Sequence, residues 1–90
     1  MDKNRVLNNA KSYLGPGIKL QPSTRKDKKW MIRTPANRLV HFGSSTYQDF
    51  TQHGDKERQR LYLLRSGKIE GHWRQNKYSP NNLSREILWR

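Results

Sequence analysis

Two histidines and two carboxylates, His41, Asp49, His53 and Asp55, stand within 15 positions. Phe42-Gly43, Tyr47, Phe50-Thr51, Arg58 and Tyr62 surround them. Imidazole and carboxylate are the groups of acid–base catalysis and of divalent-ion ligation. One chemistry they offer is that of a small metal-dependent nuclease, with His41, Asp49 and His53 as ligands of an ion that activates water. The spacing gives little support. No His-x-His or His-x-x-x-His pair is present to set two rings on one ion. Local structure also accounts for the carboxylates: Asp49 and Thr51 are turn formers, and Asp55 suits a helix N-cap. The chain reads as non-enzymatic, with no catalytic residue, metal or cofactor assigned.

Other chemistries are weaker still. There is no cysteine, hence no disulfide, thiolate nucleophile or Cys-based zinc site, which fits a reducing compartment. Gly15-Pro16-Gly17 is not a phosphate loop, because no Gly-Lys-Ser/Thr follows it. Ser23, Ser44 and Ser45 lack a recognisable base and orienting partner.

Charge is the stronger signal. Nineteen Lys and Arg face seven Asp and Glu, a net charge of +12 in 90 residues. Such a surplus repels itself in a folded chain, and a polyanion relieves the repulsion. The basic residues interleave with aromatics. Arg25, Lys26, Lys28 and Lys29 precede Trp30, and Arg33 follows it. Arg58, Arg60 and Arg65 bracket Tyr62. Arg74 and Lys77 sit between Trp73 and Tyr78. That pattern suits phosphate contacts with stacked or exposed bases. These ten residues are the expected nucleic-acid contacts. No helix-turn-helix, zinc finger or aromatic RNA-recognition motif indicates sequence-specific readout.

The elements that position these groups follow from periodicity. Val6, Ala10, Tyr13 and Leu14 form a helical stripe over residues 4–14, with Asp2 or Asn4 as cap and Gly15-Pro16-Gly17 as stop. Residues 15–27 read as a connector. Lys29–Thr34 and Arg38–Phe42 read as strands around a Pro35-Ala36-Asn37 turn, in which Asn37 takes the left-handed position. That register puts Trp30 opposite Phe42 and Ile32 opposite Val40 on a core face. Met31, Arg33, Leu39 and His41 share the other face. A helix is expected from Lys56 to Ser66, capped by Asp55, stopped by Gly67, and facing the core through Leu61 and Leu64. Ser79-Pro80 starts another, with Leu83, Ile87 and Leu88 inward and Trp89 docked. The expected core is therefore Trp30, Ile32, Val40, Phe42, Leu61, Leu64, Leu83 and Ile87. The fold class is α+β: a small single domain with an N-terminal helix and one β-hairpin packed against two short helices. Residues 1–24 form the helix and connector, and 25–90 the basic hairpin-plus-helices core. No apolar run approaches the roughly 20 residues of a membrane span. The N-terminus does not read as a signal peptide, so the expected location is a cell interior or a particle.

The order of Pro22–Lys26, Lys28–Met31, His41-Phe42-Gly43, Tyr47, Asp49-Phe50-Thr51, His53, Asp55, Arg58, Tyr62, Arg65, Trp73, Tyr78-Ser79-Pro80, Leu83-Ser84 and Leu88-Trp89 resembles a family. Its members are small basic proteins of unknown function from large DNA viruses and some phages. The resemblance covers roughly residues 22–90. The family pattern commonly carries a His after the position of Arg65, where this chain has Ser66. The resemblance implies a viral origin and no established activity. It also implies that His41, Tyr47, Asp49, Thr51, His53, Asp55 and Tyr62 form a structural knot, with Asp49 or Asp55 paired to Arg58 or Arg65 and His41 bonded across the turn. Three functions stay open. The first is a virion- or genome-associated protein that binds nucleic acid, DNA ahead of RNA, through phosphates. The second is a minor capsid or scaffold protein that binds acidic virion protein surfaces. The third is the metal-dependent nuclease.

Overall fold

The computed structural model describes residues 3–90. Helix α1 (Lys3–Leu14) leads into a three-stranded antiparallel sheet, β1 (Leu20–Pro22), β2 (Lys28–Arg33) and β3 (Leu39–Ser44), in that spatial order. The short helix α2 (Phe50–His53) and then α3 (Lys56–Gly67) follow. A 3₁₀ turn (Trp73–Gln75) precedes α4 (Pro80–Leu83), which continues as a π turn over Ser84–Leu88. The class is α+β, with an N-terminal helix and a hairpin widened to three strands.

The hairpin register is the one the alternation dictates. Trp30 pairs with Phe42 and Ile32 with Val40. Asn37 takes φ 65°, and the Asn37 N–H donates to the Thr34 carbonyl at 2.8 Å, so the turn closes through the one left-handed residue. The connector supplies an edge strand that the periodicity missed: Leu20 pairs with Ile32 and Pro22 with Trp30. Three residues are too few for an alternation to show. Pro22 is tolerated because an edge strand leaves one row of donors unused. At the start of α1, Asn4 lies inside the helix rather than capping it, and Asp2 lies outside the described residues.

The buried cluster joins Val6 and Ala10 of α1, Ile32 and Phe42 of the sheet, and Leu83, Ile87 and Leu88 of the C-terminal segment. Trp30 and Val40 are half-buried against it. The opposite sheet face is split: Met31 is buried, while Arg33 and Leu39 are exposed.

Leu61 and Leu64 are corrections. They are 39% and 52% exposed, and no α3 side chain belongs to the buried cluster or the apolar groups packed on it. The inward stripe of α3 is instead Gln59, Tyr62, Leu63 and Ser66, at the i, i+3, i+4, i+7 spacing of one helical face. Two of those four are polar, because that face meets polar groups of the C-terminal segment. Gln59 Nε2 donates to the Trp89 carbonyl at 2.9 Å. Arg85 Nη1 donates to the Leu63 carbonyl at 2.7 Å and to Ser66 Oγ at 2.6 Å. Tyr62 stacks on Trp89 with ring centroids 4.2 Å apart and planes 7° from parallel. Gly67 is the last residue of α3 and has no left-handed φ; a Cβ there would stand 3.1 Å from Arg74 Nη2. Its small size makes room for Arg74, whose Nη2 donates to the Gly67 carbonyl at 2.7 Å.

Burial ranks the aromatic positions. Phe42→Ala removes a fully buried ring and is expected to cost about 3–5 kcal/mol, a large share of the stability of so small a domain. Trp30→Ala, at a half-buried site, should cost less. Urea unfolding of both variants checks this; a Phe42→Ala protein as stable as the parent would place the core elsewhere.

Candidate nucleic-acid interface

Asp49 is the first fixed point of the site. It caps α2, accepting on Oδ1 from the Thr51 N–H at 3.0 Å and from the Thr51 hydroxyl. Gln52 reaches back, its Oε1 accepting from the Asp49 N–H at 2.9 Å. The run Asp49-Phe50-Thr51-Gln52 is thus a reciprocal capping box, with Gln52 as the partner that sequence reasoning passed over. Lys29 Nζ, from β2, reaches Asp49 Oδ2 at 2.8 Å and Gln52 Oε1 at 2.6 Å. The partner of Asp49 is therefore Lys29, and not Arg58 or Arg65. Lys29 on β2 is the cation whose ammonium reaches this buried carboxylate.

Asp55 caps α3, accepting from the Glu57 and Arg58 N–H groups at 3.0 and 3.2 Å. His53 joins the two helices: its Nδ1 accepts from the Asp55 N–H at 2.9 Å, so the neutral ring carries its proton on Nε2. That Nε2 is buried and has no hydrogen-bond partner among the described residues. The ring packs edge-on against Phe50 and Trp89. Desolvation pushes the His53 pKa down, and the Arg58 charge pushes the same way. His41 on β3 bonds Ser23, just past β1, across the central strand β2, Oγ to Nδ1 at 2.7 Å, rather than bonding across its own turn. Each His has its own local task, and no group of three or more His, Asp or Glu that could hold a metal comes together among the described residues. The trio His41, Asp49 and His53 is not a constellation.

A cleft of about 430 Å³ opens beside this knot. Helix α3 forms one wall, with Arg58, Leu61, Tyr62 and Arg65 all lining the cleft. Their i, i+3, i+4, i+7 spacing makes one helix face, cationic at both ends and apolar or aromatic between. Lys29, Gly43 and Tyr47 line it from the sheet and the loop after it, and Leu88 and Trp89 from the C-terminal segment. Gly43 is obligatory here. Its φ is +84°, and a Cβ would stand 2.5 Å from Leu88 Cδ1. Tyr47 is 71% exposed and makes no side-chain hydrogen bond among the described residues. The Arg58 and Arg65 guanidinium groups likewise find no acceptor among the described residues. Burial pushes the Tyr62 phenol above its ordinary pKa.

A match of residues 18–66 to the model of a family of unknown function (DUF5754) covers more than half of the chain. The chain belongs to that family. The matched residues hold Gly43, Tyr47, Asp49, Arg58, Tyr62 and Arg65 of the cleft. The match ends at Ser66, so about the last third of the resemblance read over residues 22–90 lies beyond it. No curated protein and no solved structure matches the chain.

Three of the ten expected contacts, Lys29, Arg58 and Arg65, meet at the cleft. The others do not join it. Arg25 pairs with Asp27 at 3.3 Å, on the exposed turn that also carries Lys26. Lys28 begins β2 and is half-buried. Arg33 Nη1 donates to Asn37 Oδ1 at 3.0 Å, bracing the hairpin turn. Arg60 holds Glu57 at 2.6 Å. Arg74 lies over Trp73, 4.5 Å from the ring centroid, and Lys77 lies 5.6 Å from that of Tyr13.

Two outcomes follow. The Lys29–Asp49 pair is largely buried, so Lys29→Met strands a carboxylate and should cost roughly 3 kcal/mol in a denaturant titration. His53 has a depressed pKa in the fold, so the unfolded chain binds its proton more readily. The stability it contributes is present above its unfolded pKa, about 6.5, and is lost as pH falls through the folded value. Melting temperatures should drop between neutral and mildly acidic pH, and His53→Asn, which keeps an acceptor for Asp55 N–H, should flatten that drop. An unchanged pH profile in the variant refutes the assignment.

Proposed function

We propose that this protein binds nucleic acid without catalysis, through phosphate contacts centred on Arg58 and Arg65, with Lys29 held back by its pairing to Asp49. The observation that supports the reading is the α3 face lining the cleft: two cations without a protein partner among the described residues, set around an apolar and aromatic middle. Two guanidinium groups on one helix face, each without a protein acceptor among the described residues, favour an anionic ligand. Arg suits that ligand, because its planar fork matches phosphate oxygens. The absence of any recognised base-reading motif makes the binding insensitive to sequence. DNA is the preferred partner in this reading. The protein belongs with a viral genome or particle, on the strength of the sequence pattern that resembles proteins of large DNA viruses and phages.

A second reading has one observation in its favour. Leu61 and Leu64 are exposed three positions apart on α3, and Ile69 just beyond is 54% exposed. Apolar groups rimmed by cations suit an acidic protein surface, as a minor capsid or scaffold protein needs.

Salt separates the two. Phosphate binding makes log K fall linearly with log salt, at about −0.9 per contact on duplex and −0.7 on single strands. Arg58→Ala and Arg65→Ala should each weaken binding and make that slope shallower by about one contact. A flat salt response, or no binding to DNA or RNA at low salt, ends the phosphate reading.

A further inference from the structure

The cleft has a chemistry that phosphate contact alone does not use. Along its α3 wall the order is cation, Leu61, Tyr62, cation. Arg58 and Arg65 stand two helical turns apart, roughly 10 Å along the axis. Between them the wall is apolar and aromatic, and its Tyr62 stacks on Trp89. Tyr47 offers a further aromatic side chain at the rim, 71% exposed and tied down by no hydrogen bond among the described residues. The acid in the cleft, Asp49, is already satisfied by Lys29 and by the Thr51 donors. A ligand therefore meets positive charge at the two ends of the helix face and aromatic surface in the middle.

From this we infer that the cleft receives an unpaired base of a single-stranded nucleic acid, with flanking phosphates on Arg58 and Arg65 and the base against Tyr47. The inference rests on the nucleic-acid reading above and adds the state of the strand. In a duplex the base faces are covered by their neighbours, so only phosphates and groove edges remain to be touched. In a single strand each base offers a free π face, and aromatic side chains stack on it whatever its identity. A cleft of about 430 Å³ is within the size range of small-ligand sites. Two lining residues are fixed by their neighbours: Gly43, where a Cβ would meet Leu88, and Trp89, which meets His53 edge-on and stacks on Tyr62.

The test is binding of four probes of equal length at one salt concentration: oligothymidylate, oligouridylate as its RNA counterpart, an abasic deoxyribose-phosphate strand, and a DNA duplex. Oligothymidylate should bind more tightly than the abasic strand and the duplex, and should quench Trp fluorescence through Trp89. Tyr47→Ala should weaken oligothymidylate by about 5- to 150-fold, the range of one base–aromatic stack, and leave the abasic strand unchanged. Tyr47→Phe should restore the parent affinity. Tyr47 is exposed, so these variants fold as the parent does. Arg58→Ala with Arg65→Ala should weaken every probe. If all probes bind alike and Tyr47→Ala affects none, the base-binding inference is overturned while the phosphate reading stands. If no nucleic acid binds and polyglutamate does, both fall, and an acidic protein surface is the partner.

Discussion

The whole molecule depends on how α3 is attached. It adds no side chain to the buried cluster; a guanidinium and a stacked indole from the C-terminal segment hold it. Arg85 ties together the Leu63 carbonyl and the Ser66 hydroxyl, and its guanidinium also lies 5.5 Å from the Trp73 ring centroid. Asn81 Nδ2 adds a bond to the Ser66 carbonyl at 3.1 Å. Hydrogen bonds of this kind are directional, so they fix the helix at one height and rotation. Hydrophobic burial is non-directional and would have drawn Leu61 and Leu64 down onto the sheet. The cleft exists because that collapse does not occur. Ser66 is one end of this attachment: it is buried and serves Arg85.

The same attachment explains the division of labour among the charges. Cations near the C-terminal segment do structural work. Arg74 and Arg85 satisfy carbonyls and flank Trp73, while Lys29 neutralises a buried carboxylate. Lys29 and Arg85 are partly withdrawn from water and regain hydrogen bonds from the protein, so they are spent. Arg58 and Arg65 stand on the outer flank of α3, where the stripe facing the C-terminal segment gives way to the stripe facing the cleft. Tyr62 belongs to both stripes. It couples the packing of α3 to the wall presented to a ligand, so a change at Trp89 reaches the cleft through one ring contact.

Short-range chemistry was legible in the residues themselves. The Asn37 turn, the register of Trp30 against Phe42, the Asp55 cap and the Ser79-Pro80 helix start each follow from steric or hydrogen-bonding rules that act within a few residues. Gln52 was equally readable, since an Asp followed three positions later by Gln is a capping-box signature. The edge strand Leu20–Pro22 was not, because its pairing is decided by β2 rather than by its own composition. Leu61 and Leu64 misled for a related reason. Apolar character alone marks a residue as suited to burial, but which helix face turns inward depends on what waits there. Here that is Arg85 and the Trp89 carbonyl, 19 to 30 positions away from their α3 partners.

By itself, then, the amino-acid order determined the α+β class, the hairpin register, the Asp55 and Ser79 caps and a large cationic excess. All of these come from local sterics or from summed charge, which need no knowledge of distant contacts. Only the tertiary structure decided which cations are consumed in holding the fold and which stay open, and that Arg58, Leu61, Tyr62 and Arg65 line a cleft with Tyr47 and Trp89. The physical reason is that desolvation and hydrogen bonding are properties of an environment. A guanidinium carries the same charge everywhere in the sequence, and what it meets in the fold determines whether it is a strut or a binding group.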